Sequence, residues 1–452
     1  MRRVAALATQ IHPVPTGIEA ESAPEPPPLL AENALKSFVE TGYLVVHAGF
    51  SDEWHAGIGA QAEAMTRAHA EASPPITGSD HQDAIWGPLT PHMQAILTCP
   101  ELQGALSSIL GEDIVVGGGA HMHVSSSSGQ QYHKDGTPVA IKPHEPRGVI
   151  LMYYPNGASV EMGPTAVCPG SMYFSRDVRG APDLSDHLNG NADVDDDPAT
   201  RPIAEIGLPR DSQRIVAVPR GAILVAHEHL FHRGTASSPG AAFRPAFKMG
   251  ARRVSEPRLL RDARRSAQRG LEHEPAPFGY TGAPAATQAI YEASWAWLCG
   301  ARGVRGNLPR VPVSDLVEIL WRSHSEAERT GAAYCLARTE CGGAGADALL
   351  ACLSGDGRGD APECVRRAAV YGLREVLTGS ESAATRARVT AALVPMLRGG
   401  FQGNEGAVCG TAAVLFVLAA ASPATRADDR PEVHVEPGPW SLSPSLCLSV
   451  SL

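Results

Sequence analysis

The chain has 452 residues, which is too long for one small domain and predicts two or three. Hydrophobic residues make up 43% and charged residues 19%, as is ordinary for a globular protein. The 38 basic and 48 acidic residues give a net charge of −10, which argues against nucleic acid as the main partner. Cysteines without a Cys-x-x-Cys pair favour reduced thiols in an intracellular protein, cytoplasmic or organellar and not secreted.

Proline-rich composition predicts that residues 1–28 are disordered. A short helix is then predicted before Gly42, followed by a buried strand over residues 43–46. Ser51 is a candidate N-cap for a helix that continues to about residue 72. Another helix is predicted from Pro100 to Leu110, where Gly111 ends it.

A series of short β-rich segments follows, separated by Gly, Pro and Ser, and predicts a β-sandwich or jelly roll. The acidic stretch between Ser175 and Arg214 interrupts this series and is predicted to be an exposed insertion. The predicted strands are residues 114–116, 120–125, 130–135, 148–154, 166–167, 215–218 and 222–226.

Composition changes after the β-rich part, where residues 271–309 are predicted to form a linker. The pattern around Arg329 returns at Arg366, an offset of 37 residues (366 − 329) that is typical of paired-helix repeats. Residues 310–422 are therefore predicted to form a HEAT-like repeat domain, with ordinary helices as the alternative. The apolar run of residues 407–422 is too short for a membrane span and predicts a buried helix, and residues 423–452 are predicted to be a disordered tail.

The candidate catalytic motif is His133-Lys134-Asp135. On an extended segment, side chains two positions apart point to the same side, so His133 and Asp135 can bind one divalent ion. With a distant second histidine they would form the facial triad of non-haem iron oxygenases. A second His-x-Asp at His81 has no alternating apolar pattern around it and reads better as a solvated loop.

The third ligand is sought about a hundred residues downstream, where His227, His229 and His232 compete. His232 is favoured because Arg-Gly follows it and because Arg244 lies twelve residues further on. A buried guanidinium offers the planar pair of donors that a carboxylate-bearing co-substrate requires. His227 and His229 would then be pocket residues or support the ligands.

These motifs together resemble the phytanoyl-CoA dioxygenase family of Fe(II)/2-oxoglutarate-dependent oxygenases. The resemblance covers roughly residues 29–255, within a predicted oxygenase domain of residues 29–270, and leaves out the helical half. It is carried by residues 38–46, by the motif of residues 130–136, by the Pro-Gly-Ser turn of residues 163–171, and by His232-Arg233-Gly234 through Arg244.

The family resemblance implies a double-stranded β-helix (jelly-roll or cupin-like) core in an α+β multidomain chain. It implies that His133, Asp135 and His232 bind Fe(II), that Arg244 binds the distal carboxylate of 2-oxoglutarate, and that O2 is the second co-substrate. Thr235 is expected to add a hydroxyl donor beside 2-oxoglutarate. The presence of Asp135, which family halogenases replace, favours hydroxylation.

Two positions depart from the family pattern, Met172 after the Pro-Gly-Ser turn and Tyr132 before the metal histidine, and they put the pocket shape in question. The function expected is hydroxylation of a small-molecule or acyl substrate with release of succinate and CO2. One alternative is a non-catalytic metal-binding scaffold whose helical repeats recruit a protein partner. Another is a zinc hydrolase, for which the sequence shows no general base at a recognised spacing.

Overall fold

The computed structural model describes twelve ranges of the chain, and every structural statement below concerns those ranges. Residues 1–27, the acidic insertion, the apolar run from Ala407 and the tail lie outside them, as does His81. The described residues are 28–71, 89–111, 113–124, 127–130, 132–136, 144–173, 212–257, 284–300, 310–338, 342–354, 362–378 and 383–398.

Four helices precede the main sheet or lie beside its first strand: α1 (Glu32–Thr41), α2 (Asp52–Glu71), α3 (residues 89–98) and α4 (Pro100–Leu110). Helix α1 ends where Gly42 adopts a φ of 81°, and the Gly42 N–H donates to the Phe38 carbonyl. A Cβ at this position would lie 2.8 Å from the Met172 sulfur, so both the backbone angle and the close approach require glycine.

The β-rich part forms two antiparallel sheets. The larger has the order β1-β6-β3-β8-β2 and the smaller the order β5-β4-β7. The strands are β1 (Tyr43–His47), β2 (Ile114–Val124), β3 (Gly148–Tyr154), β4 (Thr165–Val167), β5 (Arg214–Val216), β6 (Ala222–His227), β7 (His232–Gly234) and β8 (Pro245–Arg253). This arrangement confirms a mixed α/β chain with an antiparallel β core.

The central strands of the large sheet are buried on both faces, as the seven buried residues of β3 show. Leu151 and Tyr153 of β3 pack in a core with the helices, while Met152 and Tyr154 lie on the opposite face. That second face turns toward the small sheet, and side chains of both sheets line the cavity between them. Alternate side chains of β3 therefore point to opposite faces, one toward the core with the helices and the other toward the cavity.

Part of the predicted linker is ordered, because residues 285–298 form helix α5 (Ala285–Leu298). Trp295 of this helix is buried in the same core as the helices of the oxygenase part. Five helices follow: α6 (Val313–Arg322), α7 (Glu326–Leu336), α8 (Gly342–Ser354), α9 (Glu363–Thr378) and α10 (Ala383–Arg398). None of the described helices is both long and apolar enough to cross a membrane.

The helical part packs directly against the oxygenase part. Tyr334 of α7 and Tyr371 of α9, the matching tyrosines of the predicted repeat, are both buried beside the His144 ring. The Tyr334 hydroxyl lies 2.8 Å from His144 Nε2, and both tyrosines belong to one apolar cluster with residues of β3 and β6. The HEAT-like nature of these helices and the domain boundaries stay predictions, and the shared cluster shows that the two parts are in contact.

Candidate metal centre

The segment of residues 132–136 runs beside β7 without forming a regular strand. His133 makes a single antiparallel bridge with His232, in which each backbone N–H donates to the other carbonyl at 3.0 and 3.1 Å. The N–H groups of Asp135 and Gly136 both donate to the Glu228 carbonyl. These four hydrogen bonds fix the extended segment that the motif predicted, although the predicted strand over residues 130–135 is reduced to one bridge.

His133, Asp135 and His232 come together, with one ligand atom of each within 4.8 Å of the others. His133 Nε2 lies 3.9 Å from one Asp135 carboxylate oxygen, and His232 Nε2 lies 3.4 Å from the other. His232 is buried, and its Nδ1 lies 3.0 Å from the Leu230 carbonyl. That contact places a ring proton on Nδ1, so Nε2 is the nitrogen that could bind a metal ion.

His227 and His229 are buried but do not join this group. The His229 backbone N–H donates to His227 Nδ1 at 3.1 Å, and the two rings lie 5.9 Å apart. Burial lowers the pKa of His227 well below its ordinary value and lowers that of His229 to about 3. Both imidazoles are therefore neutral groups of the interior beside the site.

Asp135 lies between imidazole and ammonium groups. Burial alone would raise the pKa of its carboxyl group, but His232 and Lys248 outweigh burial and hold that pKa below its usual range. Lys248 Nζ lies 2.5 Å from an Asp135 oxygen, and the lysine side chain is only 11% exposed. The carboxylate is thus fully ionised and ready to bind a cation.

A cavity that opens to solvent adjoins the candidate ligands, and His133 and His232 line it. Arg244, which is 4% exposed, lines it, and its Nε donates to the Met162 carbonyl at 3.3 Å. The guanidinium lies 5.9 Å from the centre of the Tyr154 ring, and no carboxylate pairs with it in the described part of the chain. Burial lowers the pKa of Arg244, and Tyr154 opposes this shift.

Other residues named from the sequence lie elsewhere. The Thr235 hydroxyl donates to the Pro164 carbonyl at 2.7 Å and is not among the side chains lining the cavity, so its role toward 2-oxoglutarate stays a prediction. The threonine that lines the cavity is Thr165, whose hydroxyl lies 2.6 Å from that of Tyr154. Met172 and Tyr132, the two departures from the family pattern, are buried outside the cavity lining.

Sequence reasoning missed His123 and Lys248, which both line the cavity. Lys248 is the one charged residue in the otherwise apolar run of residues 245–249, and it follows Arg244 by four positions. Residues four apart on a strand share a face, so this spacing could have placed Lys248 beside the site. His123 carried no comparable signal, because its position depends on how β2 pairs with β8.

Two imidazoles and a carboxylate that could hold one metal ion lie beside an open cavity, and these are the ligand types that non-haem iron oxygenases use. Residues 38–246 match the family model described as Phytanoyl-CoA dioxygenase (PhyH). The domain of residues 38–246 is therefore similar to this family, and the chain is an iron-dependent dioxygenase by class. No curated protein matches the chain.

Several solved structures share parts of this fold at low similarity. EctD from S. alaskensis with bound Fe is 18% identical, with 65% of this chain and 90% of that chain covered and a TM-score of 0.38. SnoK, a non-heme alpha ketoglutarate dependent carbocyclase from nogalamycin biosynthesis, is 16% identical, with 53% and 90% covered and a TM-score of 0.32. AviO1 from Streptomyces viridochromogenes Tue57 is 15% identical, with 51% and 97% covered and a TM-score of 0.35. With TM-scores this low, these likenesses carry no weight for function.

Proposed function

We propose that this protein is an Fe(II)- and 2-oxoglutarate-dependent dioxygenase that hydroxylates a small-molecule or acyl substrate. The overall reaction converts substrate C–H, 2-oxoglutarate and O2 into substrate C–OH, succinate and CO2. One observation carries the proposal: three side chains that could bind one metal ion converge beside a cavity lined by the buried Arg244, which has no carboxylate partner among the described residues.

The donor set fits a divalent iron ion. His232 Nε2 is buried and has no hydrogen-bond partner among the described residues, which is costly unless a ligand takes its lone pair. Two neutral imidazoles and one ionised carboxylate suit non-haem Fe(II), and three protein ligands leave coordination positions open toward the cavity. Bound iron and 2-oxoglutarate would supply the activation of O2 and the oxidation of the C–H bond.

The residues of the chain hold and orient these groups. Arg244 would bind the distal carboxylate of 2-oxoglutarate, since its fork of donors is buried and its Nε is anchored on the Met162 carbonyl. The Leu230 carbonyl holds the His232 ring in the tautomer that ligates through Nε2. Tyr154, Thr165 and Met152 line or support the wall beside Arg244 and keep water from the co-substrate.

Formation of succinate from 2-oxoglutarate tests the proposal. The full-length protein should produce succinate only when both Fe(II) and O2 are supplied, and Asp135→Ala should abolish that production. His324→Ala is a matched control, because His324 is exposed and lies in the helical part. Iron binding without succinate formation would instead favour the non-catalytic scaffold, and hydrolytic activity with zinc under anaerobic conditions would favour the hydrolase.

A further inference from the structure

The cavity contains a second cationic position beyond Arg244. On the face of the large sheet that lines the cavity, Lys248 of β8 pairs directly with His121 of β2, and its other neighbour is Met152 of β3. His123 lies on the same face of β2, two residues from His121. Lys248 is therefore flanked by two imidazoles on one side and by a thioether on the other.

The two imidazoles are joined to each other. His121 Nε2 and His123 Nε2 lie 2.7 Å apart, so one ring donates a proton that the other accepts. Burial, together with His121 and Lys248, lowers the pKa of His123 to about 3, so this ring is neutral. When His121 donates, the remaining N–H of His123 is a hydrogen-bond donor at the cavity wall.

The proposed function sets the charge that the occupied site would carry. A divalent metal ion and the cations of Arg244 and Lys248 would bring four positive charges, and Asp135 with the two carboxylates of 2-oxoglutarate would bring three negative charges. These charges leave one positive charge in excess. The side chains lining the cavity within the described residues include no Asp or Glu that could balance it.

Lys248 pairs with Asp135, and a metal ion held by the three ligands would share that carboxylate with the ammonium group. Two cations on one carboxylate repel each other at short range in a partly dry site. An anion from outside the chain would relieve this repulsion by giving the buried ammonium group a partner of its own.

We propose that Lys248, with His121 and His123 beside it, forms a subsite that recognises a carboxylate group on the substrate. This assignment rests on the proposed function and narrows its substrate class to monoanionic carboxylic acids. Arg244 directly precedes β8 and Lys248 lies within it, so the two cations enter the same cavity from positions four residues apart. The other possible source of the carboxylate is the metal-proximal end of 2-oxoglutarate.

The test compares two ligands of the same shape, butanoate and butanamide, which differ in charge. Full-length protein loaded with Zn(II) and saturated with 2-oxoglutarate does not turn over, so binding can be measured by ligand-observed NMR. The wild-type protein should bind butanoate at least about tenfold more tightly than butanamide, as expected for one hydrogen bond to a charged group. Lys248→Met should lose this preference, and Lys248→Arg should keep most of it.

Lys36→Met is the matched control, since Lys36 is a partly exposed lysine of α1 paired with Glu32, and it should keep the full preference. Equal binding of butanoate and butanamide by the wild-type protein would overturn the subsite, even if Lys248→Met failed to fold. A preference that survives in Lys248→Met would also overturn it, because the anion would then be bound by the metal.

The two sources of the carboxylate give different results in a titration of 2-oxoglutarate. If Lys248→Met weakens 2-oxoglutarate binding as strongly as Arg244→Lys does, the lysine serves the co-substrate, and the substrate assignment is wrong. If wild-type protein binds neither Zn(II) nor 2-oxoglutarate, the proposed function itself fails, and the subsite falls with it. These titrations therefore separate failure of the subsite from failure of the function.

Discussion

Replacing Arg244 tests the co-substrate assignment most directly. Arg244 is 4% exposed, its Nε donates to the Met162 carbonyl, and it has no carboxylate partner in the described part of the chain. Loss of one partner of a buried, hydrogen-bonded charge pair costs about 2–5 kcal/mol, which weakens binding by roughly thirty-fold to several thousand-fold. Arg244→Lys keeps the charge but loses the fork of donors, so its loss of 2-oxoglutarate affinity should lie at the lower end of this range. Arg244→Ala loses both, so its loss should lie at the upper end.

The same loss can be measured without turnover, because a ligand stabilises the folded state that binds it. With Zn(II) in place of iron, 2-oxoglutarate at 100 times its dissociation constant should raise the free energy of unfolding by about 2.7 kcal/mol. If Arg244→Lys binds about thirty-fold more weakly, the same concentration should add only about 0.9 kcal/mol. Urea unfolding with and without 2-oxoglutarate measures both values.

The control for this series is Arg322→Lys, since Arg322 is an exposed arginine of α6 that pairs with Glu318. It should retain the whole stabilisation by 2-oxoglutarate. Affinity for Zn(II) should stay close to that of the wild-type protein in every variant, because Arg244 is not a ligand. If Arg244→Ala shows the same 2-oxoglutarate stabilisation as the wild-type protein, the guanidinium does not bind the co-substrate.

Three further results are expected. His133→Ala and Asp135→Ala should each lower Fe(II) affinity at least about tenfold in a metal titration while the far-UV circular dichroism stays unchanged, and an unchanged affinity would contradict the triad. Burial is the main cause that lowers the pKa of His55 below its ordinary value. Below about pH 6.5 the unfolded chain binds a proton at His55 that the folded protein does not, so the free energy of unfolding falls by up to about 1.4 kcal/mol per pH unit. Above about pH 6.5 His55 adds no pH dependence. Urea unfolding of His55→Asn should show a shallower pH dependence, and an identical slope would refute this. Tyr334→Phe should cost about 0.5–1.5 kcal/mol of unfolding free energy by removing the hydrogen bond to His144, and an unchanged urea midpoint would show that the contact contributes nothing.

The sequence predicted correctly those helices and strands whose bounds are set by neighbouring residues. The strand over residues 148–154 has the predicted bounds, because a continuous apolar run between Gly148 and Pro155 has both faces to bury. The helix that ends at Gly42 and the helix from Pro100 to Leu110 also match the prediction. Glycine marks the end of the first helix, and proline at N1 marks the beginning of the second. The ligand motif was recognisable for the same reason, as its two members lie two residues apart.

Long-range pairing explains what the sequence did not predict. The position of His123 depends on its register with Ala246, more than a hundred residues away, and a shift of one residue would turn it out of the cavity. Helix α5 directly follows a proline-rich stretch and was predicted as part of the linker, and its buried face is explained only by the core that it joins. Contact between the tyrosines of α7 and α9 and His144 likewise follows from packing, not from any local pattern.

The ligand segment also connects the metal site with the helical part of the chain. Lys134 stands between the two ligands, and its Nζ donates to the Ser171 carbonyl at 3.0 Å while lying over the Phe231 ring. Burial lowers the pKa of this amine to about 7, while Glu326 of α7 favours its charge and Arg367 of α9 opposes it. His133 and Asp135 flank this lysine. The backbone of this segment is hydrogen-bonded to β7, and the charge of the lysine between the two candidate ligands is affected by residues of the helical part. The helices that the sequence predicted as a separate repeat domain therefore contribute to the electrostatic surroundings of the oxygenase site.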